Sequence, residues 1–193
     1  MYLIIFLYDY INIMFVQTQV TPNPNSLKFI PGKKVSLAGT LEILYKKETD
    51  NELLKNIFSI DGVVGIYISD NFLSVNKKPE IKWEDLKHII ISLINEFYEN
   101  GNEYVIGDKK NEEIKKEFKE IEKKIIKILD TKIRPAVARD GGDIKFKEYK
   151  NGIVKVQLQG SCSGCPSSTM TLKQGVQNLL CHYIPEVKEV LAI

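Results

Sequence analysis

Cys162 and Cys165 carry the most reactive chemistry in this sequence, in the stretch Gly160-Ser161-Cys162-Ser163-Gly164-Cys165-Pro166. A C-x-x-C spacing lets two thiolates reach one metal centre, or close and open a disulfide. A strand-like run, Ile153 to Gln159, precedes the pair, and a helical run opens at Pro166. Proline suits the first helical position, where its missing N–H is no loss, so the unpaired N–H groups of the first turn point at the sulfurs. The positive helix end favours thiolate, the form that ligates metals and attacks electrophiles. Three chemistries fit: holding an anionic [4Fe–4S] cluster, thiol–disulfide exchange as in thioredoxin-like oxidoreductases, and carriage of Cu(I) or zinc.

An iron–sulfur cluster takes about four thiolates, and the chain has three cysteines. The third is Cys181. Thr169, Leu172, Val176, Leu179 and Tyr183 predict the buried stripe of the second helix, which puts Cys181 on its outer face, about four turns from the pair. His182 adjoins Cys181 but faces elsewhere, which weakens a Cys₃His zinc site. His88 lies off the apolar stripe of its own helix. Ligand counting therefore favours a site shared by two chains, each giving Cys162 and Cys165 and together forming a cluster-bridged homodimer. A small thiol such as glutathione is the other way to complete the shell.

Around this pair the chain folds as α+β, in two small domains. Its 193 residues suffice for that. Phe15 to Val20 and Leu27 to Ile30 read as strands, separated by Thr21-Pro22-Asn23-Pro24-Asn25, where each proline removes a backbone donor. Asn51 to Ile60 reads as a helix burying Leu53, Leu54, Ile57 and Phe58, ended by Asp61-Gly62. Val64, Ile66 and Ile68 alternate, Ser69-Asp70-Asn71 turns, and Phe72 to Asn76 returns, which is a hairpin. Trp83, Leu86, Ile90, Leu93, Ile94 and Phe97 repeat at helical spacing up to Gly101. Residues 14–106 thus form a β-hairpin and helix domain, and residues 107–111 a linker.

Residues 112–193 form the second domain, in the order α-β-β-α-β. Ile114, Phe118, Ile121, Ile125 and Ile128 stripe its first helix, with Glu112–Lys116 and Glu120–Lys124 paired on the wet side. Pro135 should end or kink that helix. Asp140-Gly141-Gly142-Asp143 reads as a tight turn into the strand Ile144 to Lys150, rather than as a docking surface around Arg139. Asn151-Gly152 marks a hairpin because both central positions need positive φ. Val187 to Ile193 is the last strand. Gly175 suggests close packing of the second helix on the sheet.

Net charge is +2 with mixed signs, and Arg134 and Arg139 are the only arginines, which argues against a nucleic-acid partner. An odd, small cysteine count argues against a disulfide scaffold and for a reducing compartment. Met1 to Val16 is apolar but interrupted by Asp9, Tyr10 and Asn12. It lacks the basic start and cleavage site of a signal peptide and the roughly 20 clean apolar residues of a membrane span. Residues 1–13 are therefore expected to be an extension outside the fold, with Met14 as the natural start and no membrane partner.

Met14-Phe15-Val16-Gln17-Thr18, Thr21-Pro22-Asn23-Pro24-Asn25 and Leu27-Lys28-Phe29 resemble the start of the Nfu N-terminal domain. Arg134-Pro135, Asp140-Gly141-Gly142-Asp143 and Gly160 to Pro166 resemble the NifU C-terminal domain. From Met14 onward the chain is similar to the NifU-like iron–sulfur scaffold proteins of the Nfu type. The resemblance implies a [4Fe–4S] cluster held by Cys162 and Cys165 between two subunits, received from or built with an upstream donor and delivered to apo-proteins. It implies no catalytic residue and no enzyme. It also implies a bacterial cytoplasmic location, or the mitochondrial matrix in a eukaryote. The thioredoxin-like reading is disfavoured because that motif opens near a βαβ unit, whereas one helix and one strand follow here. Copper and zinc carriers of the small ferredoxin-like type carry the pair early rather than late.

Overall fold

The structure is a computed structural model that describes residues 16–107, 118–163 and 166–193, with backbone alone for residues 166–169. The expectations for residues 1–13, for most of the 107–111 linker, for Ile114 and Glu112–Lys116, and for Cys165 lie outside these residues.

The N-terminal unit is an antiparallel sheet covered on one face by two helices. Its elements are β1 (Gln17–Val20), β2 (Ser26–Ile30), β3 (Leu41–Ile43), α1 (Glu52–Phe58), β4 (Val63–Ile68), β5 (Leu73–Lys77) and α2 (Trp83–Glu99), with sheet order β1-β2-β5-β4-β3. Alternation along the strands sorts their side chains between two faces. Leu27, Phe29, Leu73, Val75, Ile66, Ile68 and Ile43 are buried on the inner face. They share one core with Leu53, Leu54 and Ile57 of α1 and Leu86, Ile90 and Ile94 of α2. Asn51 caps α1 by accepting the Leu54 N–H at 3.1 Å, and its amide donates to the Val105 carbonyl at 2.8 Å. Tyr98 closes the far end of α2, its hydroxyl donating to the Lys34 carbonyl at 3.0 Å.

The outer face of that sheet carries a polar row. Lys28 pairs with Ser74, Ser74 with Tyr67, and Tyr67 with Glu42, so one line of side chains crosses β2, β5, β4 and β3. Ser26 and Asn76 form a second such pair. Strand β3 was not anticipated from sequence. Val64 does not join the buried alternation: the register shifts between Val63 and Gly65, and the bulge leaves Val64 exposed.

The C-terminal unit comprises α3 (Glu120–Ile128), a π-helical turn (Leu129–Ile133), α4 (Arg134–Arg139), β6 (Gly142–Lys150), β7 (Ile153–Gly160), α5 (Pro166–Tyr183) and β8 (Glu189–Ala192). Asn151 and Gly152 both have positive φ, 52° and 86°, as the hairpin turn between β6 and β7 requires. Strand β8 returns from α5 to pair with β7 in parallel, giving sheet order β6-β7-β8. Ile125, Leu129, Val137, Ile144, Val154, Val156, Val176, Leu180 and Val190 form this unit's own core. Among the described residues, none belongs to both cores.

The structure departs from several of these expectations. Pro135 does not stop the helical path, but the α-helix is interrupted by a π turn just before it, so the end-or-kink expectation holds as a local break. The wider π turn before it absorbs the missing N–H and the ring, and the chain stays helical to Arg139. Glu120 pairs with Lys123 at 2.8 Å, one residue before the expected Lys124. The buried line of α5 runs through Val176 and Leu180 to Ile184 beyond the helix end, and Tyr183 is exposed. Apolar residues at both 179/183 and 180/184 allow two registers in the sequence, and packing against the sheet selects the second. Cys181 is therefore not on an outer face but partly buried against the core. A Cβ on Gly175 would meet nothing within 4 Å, so that glycine does not mark close packing. Finally, β7–α5–β8 is itself a parallel βαβ unit, so its supposed absence is no argument against a thioredoxin-like chemistry. Among the described residues no helix is long and apolar enough to cross a membrane.

Candidate functional site

The cysteine loop leaves β7 at Gly160 and enters α5 at Pro166. A tight turn starts it: Ser163 donates to the Gly160 carbonyl through both N–H (3.2 Å) and hydroxyl (2.8 Å). Ser161 anchors it to the turn after α4, its N–H donating to the Gly141 carbonyl at 3.2 Å and its hydroxyl to the Asp140 carbonyl. Cys162 between them is turned inward, 7% exposed, and packs in the C-terminal core. Its sulfur lies 3.9 Å from the Ser161 hydroxyl. Gly142 is needed for this approach, since a Cβ there would sit 2.7 Å from Cys162 Sγ and 2.6 Å from the Gln159 carbonyl oxygen.

The Asp-Gly-Gly-Asp segment is the helix-to-strand turn expected of it. Its second aspartate does more than cap, however. Asp143 is buried and accepts from Arg134 Nε at 2.9 Å and from the Ile144 N–H at 2.7 Å. Arg134 also donates to the Ile144 carbonyl and pairs with Asp130. This fork ties the π turn and α4 to the first strand of the hairpin, and so fixes the platform under the cysteine loop.

The polar row of the N-terminal sheet lies against this loop. Glu42 accepts the Gly160 N–H at 2.8 Å and the Ser163 hydroxyl at 3.4 Å through one oxygen, and the Gln159 amide at 3.4 Å through the other. Asn76 donates to the Gly160 carbonyl at 3.1 Å, and Ser74 to the Gly141 carbonyl at 2.7 Å. Thr40 donates to Asp143 at 3.2 Å. The Tyr67 ring packs so closely on Gly160 that a Cβ there would come within 2.9 Å of it. Burial, then the Asp143 carboxylate, raise the pKa of the Tyr67 phenol, so it stays neutral. Lys28 crosses the interface to donate to the last carbonyls of α4, Ala138 at 3.1 Å and Arg139 at 3.4 Å, its ammonium 4.0 Å from the Phe72 ring centroid. A cation suits the negative end of a helix. Burial pulls its pKa below the usual lysine value, and Asp140 offsets part of that.

The loop between β1 and β2 completes the enclosure. The Thr21 hydroxyl donates to the Asn23 carbonyl and accepts the Asn23 N–H, and the Asn23 side-chain oxygen accepts the Asn25 N–H at 2.9 Å. This leaves the Asn23 amide to donate to the Ser161 carbonyl at 3.0 Å and the Ser163 carbonyl at 3.4 Å, on either side of Cys162. Each such bond contributes on the order of 1 kcal/mol net, and breaking one strands a buried group at about 1–3 kcal/mol. Beside Cys162 an apolar cleft of about 730 Å³ opens between α4 and α5, with Pro22 and Asn23 also on its wall.

Of the sequence-predicted ligands, Cys162 therefore stands in the enclosed loop, and Cys165 lies outside the described residues. Cys181 begins the last turn of α5, 15 residues after Pro166, which on a helix is about 22 Å away. His88 and His182 are exposed, as expected for the first. Among the described residues no three His, Cys, Asp or Glu side chains gather as a metal site. Glu42, Asn76, Ser74 and Lys28 were missed as functional residues. Strand alternation puts them on an outward face, and nothing in the sequence says what covers it.

A two-layer sheet unit whose polar face grips the cysteine turn of a small βαβ unit defines a two-part thiol protein with its reactive pair at a strand-to-helix junction. The parts match two family models: the scaffold protein Nfu/NifU N-terminal family over residues 16–101 and the NifU-like domain over residues 125–191. Human NFU1 iron-sulfur cluster scaffold homolog, mitochondrial, is 42% identical over 186 residues, covering 95% of this chain and 73% of the human one. NifU-like protein 4, mitochondrial, of Arabidopsis thaliana is 42% identical over 184 residues, 92% of this chain and 65% of that protein. This chain thus spans just under two thirds of the plant relative's length. A solution structure of a NifU-like protein from Saccharomyces cerevisiae aligns with 49% of this chain and 85% of its own, at 29% identity and a TM-score of 0.45. The chain belongs to the Nfu-type NifU-like family.

Proposed function

We propose that this chain carries an iron–sulfur cluster as cargo, a [4Fe–4S] cluster held by Cys162 and Cys165 of each of two chains, and delivers it to apo-proteins. The observation that carries this reading is the position of the C-x-x-C pair between β7 and α5, inside the segment that matches the NifU-like domain. Soft thiolates suit iron and sulfide. One pair per chain leaves half of a four-thiolate shell to a second chain, and metal–thiolate bonds would then supply most of the association energy. The protein acts as a carrier and not as an enzyme, fed by an upstream donor. The relatives' names, both mitochondrial, support a mitochondrial location if the chain is eukaryotic.

The test is anaerobic reconstitution with iron and sulfide, followed by sedimentation with iron counted in each peak. A brown dimer with about two irons per chain is expected. A monomer with about four would overturn the bridging model. The parallel βαβ setting of the pair favours one rival, thiol–disulfide exchange. A colourless protein that cycles between dithiol and disulfide with a defined potential would establish that rival instead.

A further inference from the structure

We propose that the N-terminal sheet is an intramolecular latch: its polar face docks on the cysteine loop, holds Cys162 buried, and must be released before two chains can share a cargo. The consequence for cargo rests on the carrier reading above. The docking itself does not.

The chemistry of the interface makes the case. On an isolated sheet of this size, the face away from the core is open to water and needs no special residues. Here Ser74 is fully buried, Asn23 is 4% exposed, and Lys28 is 8% exposed, each with its donor bonded to a carbonyl of the C-terminal unit. Burying a lysine or an asparagine amide without such partners is unfavourable, so these side chains fit this docked partner and not a free surface. Complementarity runs both ways, because Glu42 accepts where the loop offers N–H and hydroxyl, while Asn23 and Asn76 donate where it offers carbonyls.

The same contacts fix the loop in the path that turns Cys162 inward. Asn23 bonds the carbonyls of the residues on both sides of it, Ser161 and Ser163, and Glu42 holds Ser163 from the other flank. Cys162 is 7% exposed and turned into the C-terminal core, so its sulfur cannot meet a metal ion shared with a second chain while the loop keeps this path. Bridging therefore needs an open form in which the sheet has left the loop. The apparent affinity for cargo is reduced by the fraction of chains that are open. Release on contact with a donor or recipient would couple loading to the right partner.

The experiment uses the full chain, reduced and apo, with iodoacetamide labelling followed peptide by peptide in a mass spectrometer. The Asn23→Asp variant keeps the side chain's shape but turns its donor into an acceptor facing two carbonyls. A second variant, Asn23→Ala with Asn76→Ala, removes two donors without adding charge. Both should speed alkylation of Cys162 by about tenfold or more, through a more populated open state. Cys181, partly buried near the far end of α5, serves as the internal reference, so its rate should stay constant. Cys162 labelling as fast in the unaltered chain as in urea, or unchanged in both variants, would overturn the latch. Reconstitution of the same proteins separates the two ideas. Faster labelling with no brown colour in any variant keeps the latch and removes the carrier reading. Colour that forms at equal rates, with labelling unchanged, keeps the carrier and removes the latch.

Discussion

The two units divide labour in opposite ways. The N-terminal unit builds the larger sheet, with β1 to β5 covered by α1 and α2, and contains no cysteine. The C-terminal unit has a three-stranded sheet and contains every cysteine of the chain. In the first, the face opposite the core carries the specific chemistry, a row of side chains bonded to another unit's backbone. In the second, the chemistry sits at one strand end, on a loop that must approach its neighbours too closely for anything but glycine at Gly142 and Gly160. The comparison teaches that a region without ligands can still determine what the ligands do, by holding the backbone that carries them.

The largest effect should come from the pair itself. Cys162→Ser or Cys165→Ser is expected to abolish cluster uptake, because a hydroxyl is a poor ligand for soft iron–sulfide chemistry. Iron analysis after reconstitution should fall to background while circular dichroism is unchanged. Cys181→Ser, at the other end of α5, should retain the cargo. Loss of cargo there would mean that the distance along the helix is not the relevant one.

Separating the units is the next test. A fragment from residue 118 onward contains its own core and sheet, so it should fold and take up iron, whereas a 16–107 fragment should fold and take up none. A C-terminal fragment that fails to fold would show that the docked sheet is part of its core, and the contrast between the units would collapse.

Arg134→Met removes the main partner of the buried Asp143 carboxylate. Arg134 is itself 40% exposed, and Thr40 and the Ile144 N–H still donate to Asp143, so a loss of about 2 kcal/mol in urea unfolding is expected. An unchanged midpoint would mean the fork does not brace the loop's platform.

The smallest effect concerns the N-terminal unit alone. Burial pushes the Tyr98 phenol up to about 12 from its ordinary 10.0. Its folded value is raised, so the associated stability is complete below pH 10 and is lost as pH climbs toward 12. Tyr98→Phe should lose about 1 kcal/mol at neutral pH, with the hydrogen bond to Lys34, and should remove part of the alkaline decline. Unfolding followed across that range in both proteins measures the difference.

Much of the fold was legible because it follows from local rules. Leu53, Leu54 and Ile57, the Leu86–Ile90–Ile94 stripe and the Asn151-Gly152 turn all behave as their periodicity or φ preference dictates. The errors arose where several local answers were equally good. Strand β3 is three residues long, too short to show an alternation, and it contains Glu42. On α5 two apolar registers compete, and only the sheet beneath decides between them. Pro135 is tolerated because a π turn precedes it, a local adjustment no spacing rule anticipates. The cysteine loop was found because thiol spacing, Gly160 and Pro166 are chemical signals in one short stretch. Its clasp was invisible because Asn23, Glu42, Ser74 and Asn76 lie 67 to 140 residues from their partners.

The clasp has one more property. Apart from the Gln159 amide, the Ser163 hydroxyl and the Asp143 carboxylate, what the N-terminal side chains hold is main chain: the carbonyls of Ala138, Arg139, Gly141, Gly160, Ser161 and Ser163, and the N–H of Gly160. A grip on main chain is indifferent to side-chain identity and sensitive only to path. In a saturation-mutagenesis library, position 163 should therefore accept many residues, since its carbonyl survives any replacement. Position 160 should accept almost none, because any side chain there would collide with the Gly141 carbonyl and the Tyr67 ring and bend the path being read. The permissive and forbidden positions would alternate along a few residues of one loop, a pattern of tolerance written by a sheet more than 80 residues away in sequence.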